Sequence, residues 1–497
     1  MAADVDADAI ASTVLDEFRK LPAKRKPAVR DNGLREWVPL SGIVVKGPGF
    51  LKCVALATGM KCLPASKLAQ ANGVALHDWH AEVLAIRAFN RFLLDECRRL
   101  AQDSTYESEF LRRRTREELA TNAGTPTSPW HRQPFAWRED LTLHMYCSEA
   151  PCGDASMELV MSSQPDATPW TIPASLSPDR SPTPPPPPHT VTTTTPITTA
   201  SPPAPSPSRT PGGAPDPLPP PPPTTTTEPL LGRGYFSRLG IVRRKPARPD
   251  SPPTLSKSCS DKLALKQCAS LLGALAALLV SPRGAYLATL VLPAAQYDAG
   301  ACRRCFGGGA GVAGAGPDSN SSGGGGGLGG GGGGSGDTKA AAGRMAAVSG
   351  RVWDGTGYGF VPLRVVTTKK EFEFSRRSLT AAANGGGEIK LAASNLAVAW
   401  TRNGEVEEGL IGGVLQGRKA FDVKGASLTS RRKMWAAAVE VAAALGDEEI
   451  ARALGKDTYD GVKEGPLLAS RRVVKQEVRE EALKGWQRNI GDGNFHL

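Results

Sequence analysis

Apolar residues recur at helical spacing from the start of the chain. Ile10, Val14, Leu15 and Phe18 share one face of residues 2–21, which predicts an amphipathic helix. Residues 37–45 and 50–57 alternate apolar with polar positions and predict two strands, with Pro48-Gly49 as the turn between them. From Val83 to Leu100 the helical spacing returns in Ile86, Phe89, Leu93, Cys97 and Leu100, predicting a helix that runs to about Gln102. Thr105 to Ala120, with Arg112-Arg113-Arg114 inside it, is charged enough to read as a solvated helix. Leu141 to Ser148 alternates as a strand, and a helix is expected from about Asp154. Cys268 to Val280 is almost wholly apolar but shorter than the roughly 20 residues that span a bilayer, so it predicts a buried core helix. Strands are expected at 286–292, 360–368 and 396–401, and Ser430 to Lys484 reads as helical and basic in places.

Two blocks interrupt this pattern. Residues 164–229 are dominated by Pro, Thr and Ser, and residues 307–343 by Gly. Neither composition can bury a core; the first predicts disorder or a polyproline-like chain, the second a flexible linker. The chain therefore divides into 1–163, the insertion 164–229, a central part 230–306, the linker 307–343 and a C-terminal part 344–497. The three remaining parts make one α/β domain with insertions in its loops, where added length costs little.

The formal net charge of +11 favours a polyanionic partner, nucleic acid first. The N-terminus carries Asp4, Asp6 and Asp8 and no apolar core, unlike a signal peptide. Nine cysteines without even spacing point to free thiols in a reducing compartment, the nucleus or the cytoplasm or both.

The candidate chemistry begins at His77-Asp78-Trp79-His80-Ala81-Glu82, where an imidazole and a carboxylate stand two residues apart, and the spacing of the segment that follows places His80 and Glu82 in the first turn of its helix. A zinc deaminase needs such a pair: a His nitrogen on the metal and a Glu that is not a ligand but moves protons. A catalytic zinc takes three protein ligands and leaves one position open. His80 can supply one and Cys152, in Pro-Cys-Gly at a strand-to-helix junction, a second. Cys259, at the start of another helix, can supply the third, since a helix N-terminus favours the thiolate. Cys53, Cys62, Cys97, Cys147 and Cys268 read as small core residues, and Cys302-x-x-Cys305, at the edge of the glycine tract with no second pair, as a decoy. Cytidine deaminases carry their second cysteine three residues after the first; here that position is Ala155, so the third ligand must come from far along the chain.

The blocks Asp78-Trp79-His80-Ala81-Glu82, Pro151-Cys152-Gly153-Asp154 and Ser258-Cys259-Ser260-Asp261-Lys262 resemble those of the adenosine deaminases that act on RNA. Thr58-Gly59-Met60-Lys61-Cys62, Lys245-Pro246 and Trp486 agree with this, and Glu82-Val83-Leu84-Ala85 with Arg87-Ala88-Phe89 is similar to the tRNA-specific branch. The resemblance implies a zinc deaminase-type α/β fold, a mixed sheet flanked by helices. It implies zinc on His80, Cys152 and Cys259, proton shuttling by Glu82, and an RNA contact at Lys61. It implies as substrate the adenosine just 3′ of the anticodon of alanine tRNA, adenosine 37, converted to inosine. It also implies a buried inositol hexakisphosphate, with Arg87, Lys245, Lys262, Arg431, Tyr459, Lys463, Trp486 and Asp492 as its candidate contacts by position. The chain departs from the family pattern at His77, Met60, Ala469 and Val473, where Asn, Thr, Tyr and Lys are usual. Two other functions remain open: editing of structured mRNA, for which no duplex-RNA-binding module is seen, and an idle zinc-containing RNA-binding protein, for which Glu82 would have no use.

Overall fold

The computed structural model describes residues 6–120, 132–163, 230–232, 236–245, 251–308, 343–383 and 390–497. The Pro/Thr-rich stretch 164–229 and residues 309–342 of the Gly-rich stretch lie outside the described residues. Eight strands form one mixed sheet: β1 (Leu40–Gly47), β2 (Phe50–Thr58), β3 (Thr142–Cys147), β4 (Leu287–Pro293), β5 (Arg364–Thr368), β6 (Ala397–Thr401), β7 (Glu407–Ile411) and β8 (Val414–Leu415). Their spatial order is β5-β4-β3-β1-β2-β6-β7-β8. The pairs β3–β4 and β4–β5 are parallel and the rest antiparallel. The mixed α/β sheet expected from the sequence is therefore present.

Strand alternation decides what each face buries. Leu143, Met145 and Cys147 of β3 and Leu290 and Leu292 of β4 join one core with helix α2 (Ala81–Gln102), while Tyr146 and Val291 join a second core with helix α1 (Ala7–Lys20). In β2 the register against β1 skips Val54 between Ala55 and Cys53. Such a bulge carries Val54 and Ala55 to the α2 face together, and leaves Cys53 and Leu56 facing α1. Helix α1 starts at Asp6, whose carboxylate caps Ala9 N at 2.9 Å, and buries Ile10, Val14, Leu15 and Phe18 as its spacing predicts. Each such large apolar side chain contributes about 1.5–3 kcal/mol. Helix and sheet approach so closely that a Cβ on Gly42 would lie 2.5 Å from Val14 Cγ1.

The structure corrects several sequence expectations. Residues 37–45 are not one strand: Pro39 divides Arg35–Trp37, which pairs with Leu391–Ala393, from β1. The 105–120 stretch contains a short strand, Leu111–Arg113, paired with Phe135–Trp137, and only five helical residues, Arg116–Ala120. Its arginines are held by Glu118, Glu139 and backbone carbonyls rather than by water alone. The apolar 268–280 run is not one helix. Helix α3 (Cys259–Ala269) ends at Ser270, whose φ of 52° breaks the helix, and only Ala276–Leu279 coils again. The run is nonetheless buried. The strand expected at 360–368 begins at Arg364, and the helical C-terminus is four helices: α5 (Arg431–Leu445), α6 (Glu448–Leu454), α7 (Tyr459–Glu464) and α8 (Ala469–Glu481), with α4 (Ala299–Phe306) preceding them. Among the described residues no helix is long and apolar enough to cross a membrane.

Candidate active site

Parallel β3 and β4 are joined through α3, and α2 packs behind the same sheet, so three chain turns meet at one end of the strands. His80 is the residue before α2 rather than part of its first turn, with extended dihedrals of φ −61° and ψ 144°. Asp78, buried behind it, accepts His80 N at 3.0 Å. Cys152 follows β3, and Cys259 opens α3 after its cap Ser258, whose Oγ accepts Asp261 N at 3.1 Å. Ser260 ties the two cysteine turns together: its Oγ donates to Pro151 O and Cys152 O at 2.9 Å each, and its N–H reaches Cys152 O at 3.1 Å.

The result is a cluster in which donor atoms of His80, Cys152 and Cys259 lie within 4.8 Å of one another. Cys152 Sγ is 3.7 Å from His80 Nδ1, and Cys259 N donates to Cys152 Sγ at 3.3 Å. Zinc bonds of ordinary length at tetrahedral angles put a nitrogen and a sulfur about 3.6 Å apart, so the donor set and its spacing fit that ion. Glu82, in the first turn of α2, is buried and does not join the donor cluster. Burial, and then the negative charge of Cys152, push its carboxyl above the ordinary value. The hydrogen bond from Cys259, with Lys245 and His80 nearby, holds the Cys152 thiol well below its usual value against burial. Burial opposes charge on His80, as does Lys245, yet Cys152, Cys62 and Asp78 outweigh both and raise it to about 10. An ion bound here would displace the protons of His80 and Cys259.

A second group of side chains surrounds a cavity of about 240 Å³ between α2, α3, α5 and α8. Of the expected contacts, Arg87, Lys262, Arg431, Tyr459 and Trp486 line it. Lys245, Lys463 and Asp492 do not. Lys245 Nζ instead donates to Asp78 at 2.8 Å and to Cys259 Sγ at 3.2 Å; Lys463 pairs with Asp460 at 2.8 Å on the surface; Asp492 pairs with His77 at 2.6 Å and with Arg431 at 3.2 Å. The sequence reading missed Lys266, Lys475 and Arg479, which also line the cavity. The signal was available: Lys262 and Lys266, and Lys475 and Arg479, stand four apart on their helices and so share a face.

Like charges crowd this space. Burial first, and then neighbouring cations, pull the Lys266 and Lys475 ammonium groups well below their ordinary value. Among the described residues the buried Nε of Arg479 has no partner, and the Lys266 ammonium has the carbonyls of Leu271 and Leu272, at 3.0 and 3.2 Å. Six cations on one small cavity are costly without a counter-charge, and the residues present fit a multivalent anion. Lys262 spans the two sites, lining the cavity while its Nζ bonds to Asp78, which also holds His80 N and Lys245. Lys61 lines neither, but its carbonyl accepts Trp79 N at 3.0 Å, one residue before His80; its half-buried side chain has its ammonium on Asn395 Oδ1.

Comparison with known proteins agrees with this geometry. Residues 55–308 match the family described as the adenosine-deaminase (editase) domain. The chain is 30% identical over 489 residues to tRNA-specific adenosine deaminase 1 of Schizosaccharomyces pombe, covering 97% of this chain and 95% of that one. It is 30% identical over 273 residues to the Saccharomyces cerevisiae protein of the same name, covering 54% and 53% respectively. A double-stranded RNA-specific editase of Drosophila melanogaster shares 26% identity over 155 residues, 30% of this chain and 20% of that one.

Proposed function

The chain belongs to the adenosine-deaminase (editase) family and is a hydrolytic deaminase acting on a C–N bond, and from that premise we propose that its substrate is adenosine 37 of alanine tRNA. The observation that carries the catalytic part is the convergence of His80, Cys152 and Cys259 beside a buried carboxyl that is not among the donors. In this reading the three residues hold zinc, which when bound activates water at neutral pH. Glu82 accepts the proton of the attacking water and returns it to the purine, so that adenosine and water become inosine and ammonia. Glu82 is buried, with the Cys147 thiol close enough to be raised by its charge after burial. An anticodon loop offers a base with little pairing to lose on entering such a pocket. The tRNA assignment rests on the near full-length relative of that name.

The cavity takes inositol hexakisphosphate on Arg87, Lys262, Lys266, Arg431, Lys475 and Arg479, and its charge reaches the metal set through Lys262 and Asp78. The test is inosine formation in alanine-tRNA transcript by purified protein, with a duplex RNA as contrast. Glu82→Gln keeps the buried volume and removes the proton carrier; turnover should fall by about 10²–10⁴ while zinc stays bound. Undiminished turnover in that variant refutes the role given to Glu82.

A further inference from the structure

Each cysteine turn carries an aspartate two residues later, Asp154 after Cys152 and Asp261 after Cys259, and both carboxylates are fully buried. Neither touches the donor cluster. Asp154 accepts Gly240 N at 3.1 Å, Arg304 Nε at 3.0 Å and Cys305 Sγ at 3.4 Å. Asp261 accepts Arg243 N at 2.9 Å, Ser258 Oγ at 2.6 Å and Arg344 Nη1 at 2.5 Å. The two arginines come from one joint. Arg344 Nε donates to Cys305 O at 3.1 Å, next to Arg304, and a Cβ on Gly343 would lie 3.0 Å from Gly307 Cα. The chain thus leaves and re-enters at the same point on either side of residues 309–342, and from that point one guanidinium reaches each cysteine turn.

We propose that Arg304 and Arg344 are positioning residues for the metal site: through Asp154 and Asp261 they clamp the Cys152 and Cys259 turns from behind and so set how tightly the two sulfurs retain the ion. The clamp is doubly anchored, because each carboxylate also receives a backbone N–H from the 240–243 segment. Removing an arginine takes away the charged partner of that aspartate, leaving the backbone N–H with the Cys305 thiol at Asp154 or the Ser258 hydroxyl at Asp261, and loosens the sulfur above it. Partners one shell beyond a metal ligand commonly change metal affinity by about 10–100-fold. Among the described residues Cys302 and Cys305 join no cluster of metal-ligating side chains, and Cys305 is buried with its thiol on Asp154.

This inference rests on the zinc reading above. The test uses full-length, zinc-loaded protein and follows zinc release to a chromophoric chelator, together with the thiolate-to-cobalt absorption of cobalt-substituted samples. Arg344→Ala and Arg304→Ala should release zinc about 10–100-fold faster than wild type and alter the cobalt spectrum, while Arg344→Lys recovers part of the retention. Arg351→Ala serves as control, since Arg351 makes an equally extensive pair with Glu477 and Glu481 away from the cysteines. Should either alanine variant fail to fold, the Lys variants of Arg304 and Arg344 decide: retention and spectrum identical to wild type overturn the proposal. Release rates unchanged in the alanine variants, or equally raised in Arg351→Ala, also overturn it. A wild type that holds no zinc instead overturns the functional reading from which this one starts.

Discussion

Gly153 packs against the cap of α3 between the Cys152 and Cys259 turns, and Gly153→Ala tests that geometry without touching a donor atom. Gly153 has φ 105° and ψ −142°, a region that side-chain-bearing residues rarely adopt, at a cost of about 1–3 kcal/mol. A Cβ there would also stand 2.3 Å from Ser258 Oγ and 2.4 Å from Ser258 Cβ, in the cap of α3. Ser258 cannot turn away freely, because its hydroxyl is committed to Asp261 on both its donor and acceptor sides. Forcing the two turns apart therefore adds an overpacking cost of about 1–3 kcal/mol, for a total near 4 kcal/mol. That corresponds to a fall in melting temperature of about 5 °C for an ordered body of this size. Because the displaced groups flank Cys152 and Cys259, zinc content should fall with stability. Gly404→Ala is the control. Its φ of 77° is also left-handed, but nothing lies within 4 Å of the added Cβ, so it should cost only about 1 kcal/mol and no zinc. Thermal melts and metal analysis on the three proteins decide. Equal melting temperatures and zinc contents for Gly153→Ala and Gly404→Ala would show that the two cysteine turns do not meet as described.

Cys259→Ala should bind less than a tenth of the wild-type zinc at equal protein concentration, measured by elemental analysis, because a catalytic site left with two protein donors loses its third anchor. Lys475→Met should change sign with the anion. Without inositol hexakisphosphate it removes a half-buried like charge and raises the melting temperature; with the anion present it removes a partner and reduces the anion-induced rise. Its pH dependence follows from linkage. The folded-state value of Lys475 lies below the unfolded one, so the unfolded chain binds more protons and anion-free wild type gains stability as pH rises toward the ordinary lysine value. The advantage of Lys475→Met over anion-free wild type should therefore shrink between pH 7 and pH 9, and an advantage that grows in melts across that range refutes the placement of Lys475.

The sequence by itself determined the main helix faces and several strands and singled out the candidate site residues, because these are written in short-range pattern. The faces of α1 and α2 follow from spacing along a single helix, and β3 from alternation within eight residues. His80, Cys152 and Cys259 were legible because each sits at a strand or helix terminus inside a compact motif whose chemistry needs those residue types. Only the tertiary structure decided what those motifs rest on. Which cations enclose the cavity depends on how α3, α5 and α8 pack on α2, so Lys266, Lys475 and Arg479 entered while Lys245 and Lys463 fell away to Asp78 and Asp460. The clamp of Arg304 and Arg344 was invisible for the same reason: its partners lie some 80 to 150 positions away in the chain, and no local spacing records a salt bridge closed across that distance. Local propensity acts over a few residues, whereas a buried charge takes whatever partner the fold brings within reach.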